Sequence, residues 1–437
     1  MELPTFSPHP LRLILSDEIH ARPPLALDTP ERVSYLAFTH DHRSAVDELK
    51  HVGQLLAAHG FAAPAADANH VLFETAALRF KWERHSEFSS YYFSERQPDY
   101  LADDGRGALA RLDPHWLEAL PGQLIAAVEV ELRDAAAGQA EQLLQNAAGE
   151  QRTLVAAEVA GGAARVVSDF LLHNGFSRFT VLDRSLTPRQ AGRIVQRLVE
   201  IETYRVMALL AFPLAREVSG LLRSAETELA DLMDSMSQAR NAADDHAALS
   251  RLSTLAAQVE RSVARSAYRF GAAAAYYRLV RQRIEDLREQ RITGFSPIGE
   301  FMDRRLTPAI DTCASVARRQ EELSARIARN SQLLRTRVDI EIERQNQQLL
   351  EQMNRRAKIQ LHLQETVEGL SVVAITYYGS QLVNYVSQGL QPWLAPQLPW
   401  LTPPVITAAA IPLIALTVFA SLRRLRLHLS AEAGQQD

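Results

Sequence analysis

The sequence of residues 369–390 reads Gly-Leu-Ser-Val-Val-Ala-Ile-Thr-Tyr-Tyr-Gly-Ser-Gln-Leu-Val-Asn-Tyr-Val-Ser-Gln-Gly-Leu and contains no Asp, Glu, Lys or Arg. The uncharged run continues to Leu422, although charged residues make up 23% of this chain of 437 residues. A helix crosses the roughly 30 Å of membrane hydrocarbon with about 20 apolar residues. The run is therefore long enough for two crossings, and it predicts a membrane protein.

We predict two transmembrane helices, at about 370–390 and 405–422, which form a hairpin. The connector between them contains five prolines and two tryptophans, a composition typical of a turn at the membrane surface. Basic residues flank both spans: Arg355, Arg356 and Lys358 precede the first, and Arg423, Arg424 and Arg426 follow the second. Because such flanks stay inside, we expect both termini in the cytoplasm of an inner-membrane-type protein. The alternative, a buried hairpin of a soluble protein, is disfavoured because no helix face is charged.

The first predicted span also carries polar side chains, which cost free energy in hydrocarbon unless they are paired. The candidate residues are Tyr378, Gly379, Ser380, Gln381 and Asn384. Two interpretations are open. The stripe packs against another helix in an oligomer, or it lines a conducting or binding path.

Residues 187–366 have the pattern of long helices. Thr187, Pro188 and Gln190 occupy the first positions of a helix start, as a capping box with proline at the first helical residue. Between Pro308 and Gly369 there is neither glycine nor proline, which predicts one uninterrupted helix. Val316, Ile327, Val338 and Leu349 recur in it at intervals of eleven residues. This periodicity is typical of a nearly straight coiled coil, so we expect a self-associating stalk.

Residues 1–186 mix strand and helix patterns. The predicted strands are Val33 to Phe38, Val71 to Leu78, Leu124 to Leu132, Leu154 to Val159, Arg165 to Leu171 and Phe179 to Leu182. Residues 160–163 read as a hairpin turn, and residues 42–59 and 136–147 as helices. The fold class is therefore α+β, with an N-terminal α/β sheet domain (1–186), a helical stalk (187–366), a transmembrane hairpin (367–426) and a polar tail (427–437).

Two polar clusters in the N-terminal domain are candidates for chemistry: Glu18, His20 and Arg22, and Glu83, His85 and Glu87. Residues 81–87 read as one charged strand, on which Glu83, His85 and Glu87 would share a face. A row of carboxylate, imidazole and carboxylate can bind a metal or move protons. The alternative is an exposed strand face with cross-strand ion pairs, and it is favoured because no ligand set has diagnostic spacing. No metal is therefore assigned, and no cofactor follows from the sequence.

Composition narrows the possible partners. The net charge is −5 and the basic residues are spread along the chain, which does not favour nucleic acid. The single cysteine, Cys313, is typical of a reducing compartment. The N-terminus lacks the basic and apolar regions of a secretory signal. The expected partners are the lipid bilayer and further copies of the same chain.

Five segments of the sequence carry a resemblance to a known family. They are Glu18 to Pro23, Lys81 to Phe88, Leu182 to Arg189, Glu200 to Arg205 and Thr366 to Ser371. In this combination the chain resembles a bacterial family of uncharacterised membrane-anchored proteins, domain of unknown function family 3422. The resemblance spans essentially the whole chain, implies a membrane anchor and brings no activity with it. A looser likeness of plan is to the magnesium channels of the CorA class, but the Gly-Met-Asn signature of that class is missing.

Three functions remain after this reading. The first is a non-enzymatic membrane-anchored scaffold or regulator that self-associates. The second is a cation channel or transporter built around the polar side of the first span. The third is a metal-dependent enzyme, which requires the clusters around His20 and His85 to converge. No catalytic motif supports the third, so the sequence favours a protein that is not an enzyme.

Overall fold

A computed structural model describes residues 9–12, 15–16, 23–40, 45–96, 107–135, 154–238, 242–394 and 402–433. Its strands are β1 (Glu31–Thr39), β2 (His70–Glu74), β3 (Arg79–Arg84), β4 (Phe88–Arg96), β5 (Gln123–Asp134), β6 (Val155–Val159), β7 (Ala164–Ser168), β8 (Leu172–His173), β9 (Phe176–Asp183) and β10 (Gln290–Arg291). Its α-helices are α1 (Ala45–Ala58), α2 (Pro114–Glu118), α3 (Pro188–Leu209), α4 (Ala211–Gln238), α5 (Ala242–Leu287), α6 (Ile298–Arg305), α7 (Thr307–Leu394) and α8 (Pro403–Ala433). The chain divides into two compact units, Met1–Gln332 and Leu333–Asp437.

All ten strands belong to one sheet, in the order β10-β6-β7-β9-β5-β1-β4-β3-β2, with β8 paired to β9. Strands β5 and β9 run parallel, and the other neighbours run antiparallel. A short 3-10 turn at Ala160–Gly162 joins β6 to β7, so the predicted hairpin turn is confirmed. The predicted α+β class is confirmed as well. The predicted helix at residues 136–147 lies outside the described residues.

Apolar side chains cover both faces of this sheet. On one face Val128 and Val130 of β5 pack in a core that includes Leu198 of α3 and Val280 of α5. On the other face Trp82 belongs to a second core with residues of α1 and α2. Successive residues of a strand point to opposite faces, so a strand buried on both sides has few exposed positions. Strands β1, β3 and β4 are of this kind.

Helix α3 begins at the predicted position. The Thr187 backbone N–H donates to Oε1 of Gln190 at 2.9 Å, which confirms the capping box. The segment of residues 23–28, named here the strap, crosses this helix start. The Leu27 N–H donates to the Pro188 carbonyl at 3.0 Å. A Cβ on Gly192 would lie 1.6 Å from the Leu25 carbonyl oxygen, so this close approach requires glycine.

Alanine substitutions at Gly192 and Gly220 therefore separate the effect of close packing on stability from the effect of helix propensity. We expect Gly192→Ala to lower the free energy of unfolding by about 1–3 kcal/mol, because the strap must move to admit the methyl group. The control is Gly220→Ala in α4, where a Cβ meets no atom within 4 Å. That change should raise stability by up to about 1 kcal/mol through helix propensity. Urea unfolding measures both, and equal shifts would show that the strap does not lie on α3.

Helix α7 confirms the predicted uninterrupted helix beyond Pro308. In the first unit, Val316 and Ile327 are buried, at positions of the eleven-residue repeat. Gln320 fixes this part of α7 to α5, because its Nε2 donates to Ser262 Oγ at 3.0 Å and its Oε1 accepts from Ser266 Oγ at 3.1 Å. The repeat therefore packs within the chain here.

The second unit contains the predicted hairpin region. Among the described residues, the single helix that is long and apolar enough to cross a membrane is Pro403–Arg424 of α8, with a mean hydropathy of 2.3 and no buried residue in its apolar window. The first predicted span, 370–390, lies in α7 and does not meet this criterion, because its polar side chains lower the hydropathy. The start of the turn was predicted at residue 391, which is wrong because α7 continues to Leu394.

The end of α7 contacts α8 at two places. Thr407 Oγ1 donates to Asn384 Oδ1 at 3.4 Å. A Cβ on Gly379 would lie 3.1 Å from Cγ2 of Ile414, so the backbone of α7 comes close to α8 there. Since position 384 meets 407 and position 379 meets 414, the two helices run antiparallel.

Candidate functional site: a buried charged ladder on strand β3

Strand β3 ends at Arg84, and His85 to Glu87 form the turn into β4. The His85 N–H donates to the Phe88 carbonyl at 2.9 Å across this turn. The prediction of one strand from residue 81 to residue 87 is therefore wrong. Glu83 does not share a strand face with His85 and Glu87.

The ladder consists of Arg79, Lys81 and Glu83, which occupy alternate positions of β3 and so share one face of the sheet. Their exposed fractions are 4%, 4% and 5%. The strap covers them: Arg79 Nη1 donates to the Ala26 carbonyl, and Lys81 Nζ donates to the Pro23 carbonyl at 3.0 Å. The interpretation of an exposed strand face is therefore wrong for Glu83, because backbone carbonyls of the strap take the place of water around its neighbours Arg79 and Lys81.

Each charge of the ladder has a partner. Lys81 Nζ lies 2.9 Å from Glu83 Oε1. Arg79 Nη1 lies 3.1 Å from Oε1 of Glu31, a carboxylate on β1 that is completely buried. Burial raises the pKa of Glu31, although a hydrogen bond from Ser94 and the charge of Arg79 oppose that rise. Buried ions are stable only when they are paired in this way.

An aromatic group adjoins the ladder on the same face. Lys81 Nζ lies 5.9 Å from the ring centroid of Tyr92, which meets Tyr35 edge to face at 4.9 Å. Thr203 Oγ1 on α3 donates to the Tyr35 hydroxyl at 3.1 Å. Burial raises the pKa of both tyrosines well above 10, so both are neutral at physiological pH. The ladder is therefore linked to Thr203, in the segment Glu200 to Arg205, through two aromatic rings and the neutral hydroxyl group of Tyr35.

Glu87 is held away from the ladder. Its carboxylate accepts from the Tyr268 hydroxyl at 2.7 Å and from Arg269 Nη1 at 3.1 Å, both on α5. Burial would raise the pKa of Glu87, but hydrogen bonds from Tyr276 and Tyr268 and the charge of Arg269 lower it overall. The His85 ring stacks on Phe88 with centroids 4.4 Å apart. These contacts connect the β3–β4 turn to α5.

The sequence-predicted cluster of Glu18, His20 and Arg22 lies outside the described residues. The described residues resume at Pro23, whose carbonyl accepts a hydrogen bond from Lys81 Nζ. In the described ranges, no three His, Cys, Asp or Glu side chains are placed to hold a metal ion. Sequence reasoning missed Arg79 and Glu31. Charges at alternate positions beside Phe80 and Trp82 could have indicated a strand buried on both faces.

The predicted membrane-path residues divide between two sides of α7. Gly379 and Asn384 meet α8, and Ser380 is buried with its hydroxyl donating to the Tyr377 carbonyl at 2.7 Å. Tyr378 is 71% exposed, and Gln381 is half-buried. The polar stripe is therefore used in part for packing within the chain.

These features define an α+β protein with a buried polar sheet face, an uninterrupted helix of 88 residues and an apolar C-terminal helix. The model of the family described as protein of unknown function (DUF3422) matches residues 7–429, so the chain belongs to this family. Neither a curated protein nor a solved structure matches the chain. No matching solved structure therefore supports the similarity in overall organisation to CorA-class channels.

Proposed function

We propose that this protein is a membrane-anchored scaffold or regulator, which self-associates and faces the cytoplasm of a bacterial cell. The observation that carries the proposal is the helix Pro403–Arg424, which is uncharged as far as Leu422 and whose apolar window is not buried. In water, such a surface is unfavourable by roughly 25 cal/mol for each Å². A bilayer removes that cost.

The end of α7 supplies the second crossing of this anchor. Its less apolar character fits a helix that is partly shielded by α8. Gly379 and Asn384 face α8, and small or polar residues are typical of helix pairs inside membranes. We infer that the pair enters the bilayer as one unit, with Tyr378 and Gln381 left for contact with further copies.

Self-association is supported by an exposed apolar stripe on α7. Ile342, Leu349 and Met353 are separated by seven and four residues, so they share one helix face. They are 46%, 57% and 58% exposed. Exposed apolar positions at this spacing are the pattern by which two helices pack side by side. A second copy of the chain provides the matching stripe.

The stripe can be tested against the opposite face of the same helix. We expect Leu349→Glu with Met353→Glu to reduce the mass of the detergent-solubilised particle, because each glutamate would enter the interface. The matched control is Leu333→Glu with Ile340→Glu, two exposed residues about 180° around the helix from the stripe. Light scattering measures the mass. Equal masses for both pairs of variants would reject the stripe as the interface.

The same measurement separates the scaffold from the channel. A closed ring of four or more copies would place several α7 ends around one axis and would favour a cation path. In that case Asn384→Leu should abolish flux through reconstituted protein. A dimer has too few spans for such a path and supports the scaffold.

A further inference from the structure

A cleft of about 360 Å³ lies on the first unit, away from the ladder. Three elements form it: the loop between β7 and β8, the end of α3, and α6. Its apolar wall consists of Phe170, Leu171, Leu209, Phe301, Met302 and Leu306, and its charged residues are Asp169, Arg205 and Arg305. The proposal of a membrane anchor does not use any of these residues.

Phe170 is held in an unusual conformation at this wall. Its φ is +55°, in the left-handed region that a bulky side chain rarely adopts. Its N–H donates to Ser168 Oγ at 3.1 Å, and its ring stacks on Phe301 with centroids 4.8 Å and planes 15° apart. Backbone strain of this kind is concentrated at functional sites. Here it fixes an aromatic surface beside the opening.

A buried carboxylate positions one of the two guanidinium groups. Glu202 is 2% exposed and accepts a hydrogen bond from Ser177 Oγ at 2.6 Å. It also accepts from Nε and Nη2 of Arg205 at 2.8 and 2.5 Å. Within the described part of the chain, Arg205 Nη1 makes no hydrogen bond. That edge of a preorganised guanidinium remains available to a ligand.

Arg305 supplies the second guanidinium group of the cleft. It is exposed on α6 and has no ion-pair partner among the residues that the structure describes. The Asp169 carboxylate, the third charged group of the cleft, accepts a hydrogen bond from the Leu171 N–H at 3.0 Å and lies 2.7 Å from His173 Nε2. The cleft therefore combines an apolar wall with two guanidinium groups, of which that of Arg305 has no ion-pair partner among the described residues.

We propose that this cleft binds a small amphipathic anion, with a carboxylate on an aromatic or short alkyl body. The carboxylate meets the guanidinium groups of Arg205 and Arg305, which are suited to planar oxygen pairs. The body packs on Phe301, Leu209 and the exposed side chain of Leu171. Apolar pockets with few placed polar groups are typical sites for molecules of this size.

The test is calorimetric titration of the full-length protein with 2-naphthoate, and with 2-naphthamide as the uncharged counterpart. We expect naphthoate to bind, and Arg305→Gln to weaken it at least tenfold, which is about 1.4 kcal/mol. Arg304→Gln is the matched control, because Arg304 is occupied by Ser296 and by Glu300 at 3.4 Å. It should leave the affinity unchanged.

A second variant tests the cleft by filling it, without changing its charge. Leu171→Trp fills the cleft from an exposed position that is 52% accessible, so folding should be preserved while binding is lost. Equal affinity of naphthoate and naphthamide would overturn the proposal. So would unchanged binding in both Arg305→Gln and Leu171→Trp.

Discussion

Replacing Leu413 and Leu416 together by arginine will release the protein from the membrane fraction. Both side chains lie near the middle of Pro403–Arg424 and are 69% and 72% exposed. An arginine at the centre of a spanning helix costs about 2.5–3.5 kcal/mol, so the pair costs about 6 kcal/mol. The end of α7 does not meet the criterion for a membrane span, so we expect that it does not hold the chain in the membrane alone. We therefore expect the variant in the soluble fraction after carbonate extraction.

The control adds the same charges elsewhere. Leu349→Arg with Leu350→Arg changes two exposed leucines of α7 outside the predicted spans. This variant should stay in the membrane fraction, whatever happens to its oligomeric state. Retention of the Leu413 and Leu416 variant at the wild-type level would show that α8 does not anchor the protein.

Replacing Glu31 by alanine should lower the free energy of unfolding by about 3 kcal/mol. The change leaves the Arg79 guanidinium, which is 4% exposed, without its one fully buried carboxylate partner. Loss of a buried partner costs about 3–5 kcal/mol in general. We expect the lower end, because Arg79 keeps Glu74 at 3.2 Å and Asp28 at 3.6 Å, which are both exposed.

The matched control for this prediction is Glu217→Ala. Glu217 pairs with Arg265 at 2.7 Å, but the two side chains are 57% and 66% exposed. An exposed pair contributes about 1 kcal/mol or less. Urea unfolding followed by tryptophan fluorescence compares the two, since Trp82 and Trp116 are buried on the sheet. Similar decreases in the free energy of unfolding of the two variants would mean that the ladder is open to water.

Local patterns in the sequence were sufficient for most of the individual elements. The run Val33 to Phe38 gives β1, and the capping box at Thr187 gives the start of α3. The absence of glycine and proline after Pro308 gives α7. Each of these features depends on residues close together in the chain, and propensity and capping act at that range.

Strand pairing and burial depend on distant residues and were not predictable in this way. Strand β10, at Gln290–Arg291, pairs with β6 although about 130 residues separate them, and two residues give no pattern. Glu83 was expected on an exposed strand face because its charge suggested contact with water, and Arg79 was not considered. The cover of the ladder, the strap, lies more than 50 residues earlier, and nothing local to β3 indicates it.

The cleft could not be predicted from local sequence patterns either. Asp169, Arg205 and Arg305 come from three separate segments, and none belongs to a motif. Their convergence follows from the way that α3 and α6 pack at the sheet. The sequence alone therefore locates the uncharged run that includes the apolar helix Pro403–Arg424, while the charged sites require coordinates.

The central claim, that α7 and α8 form a membrane hairpin, is tested most directly by cysteine accessibility in intact cells. The one native cysteine, Cys313, is buried, so its background labelling should be low. We expect a membrane-impermeant maleimide to label Thr402→Cys, and to label Leu172→Cys and Ser430→Cys only after the membrane is opened. Labelling of all three positions from the same side would contradict the hairpin.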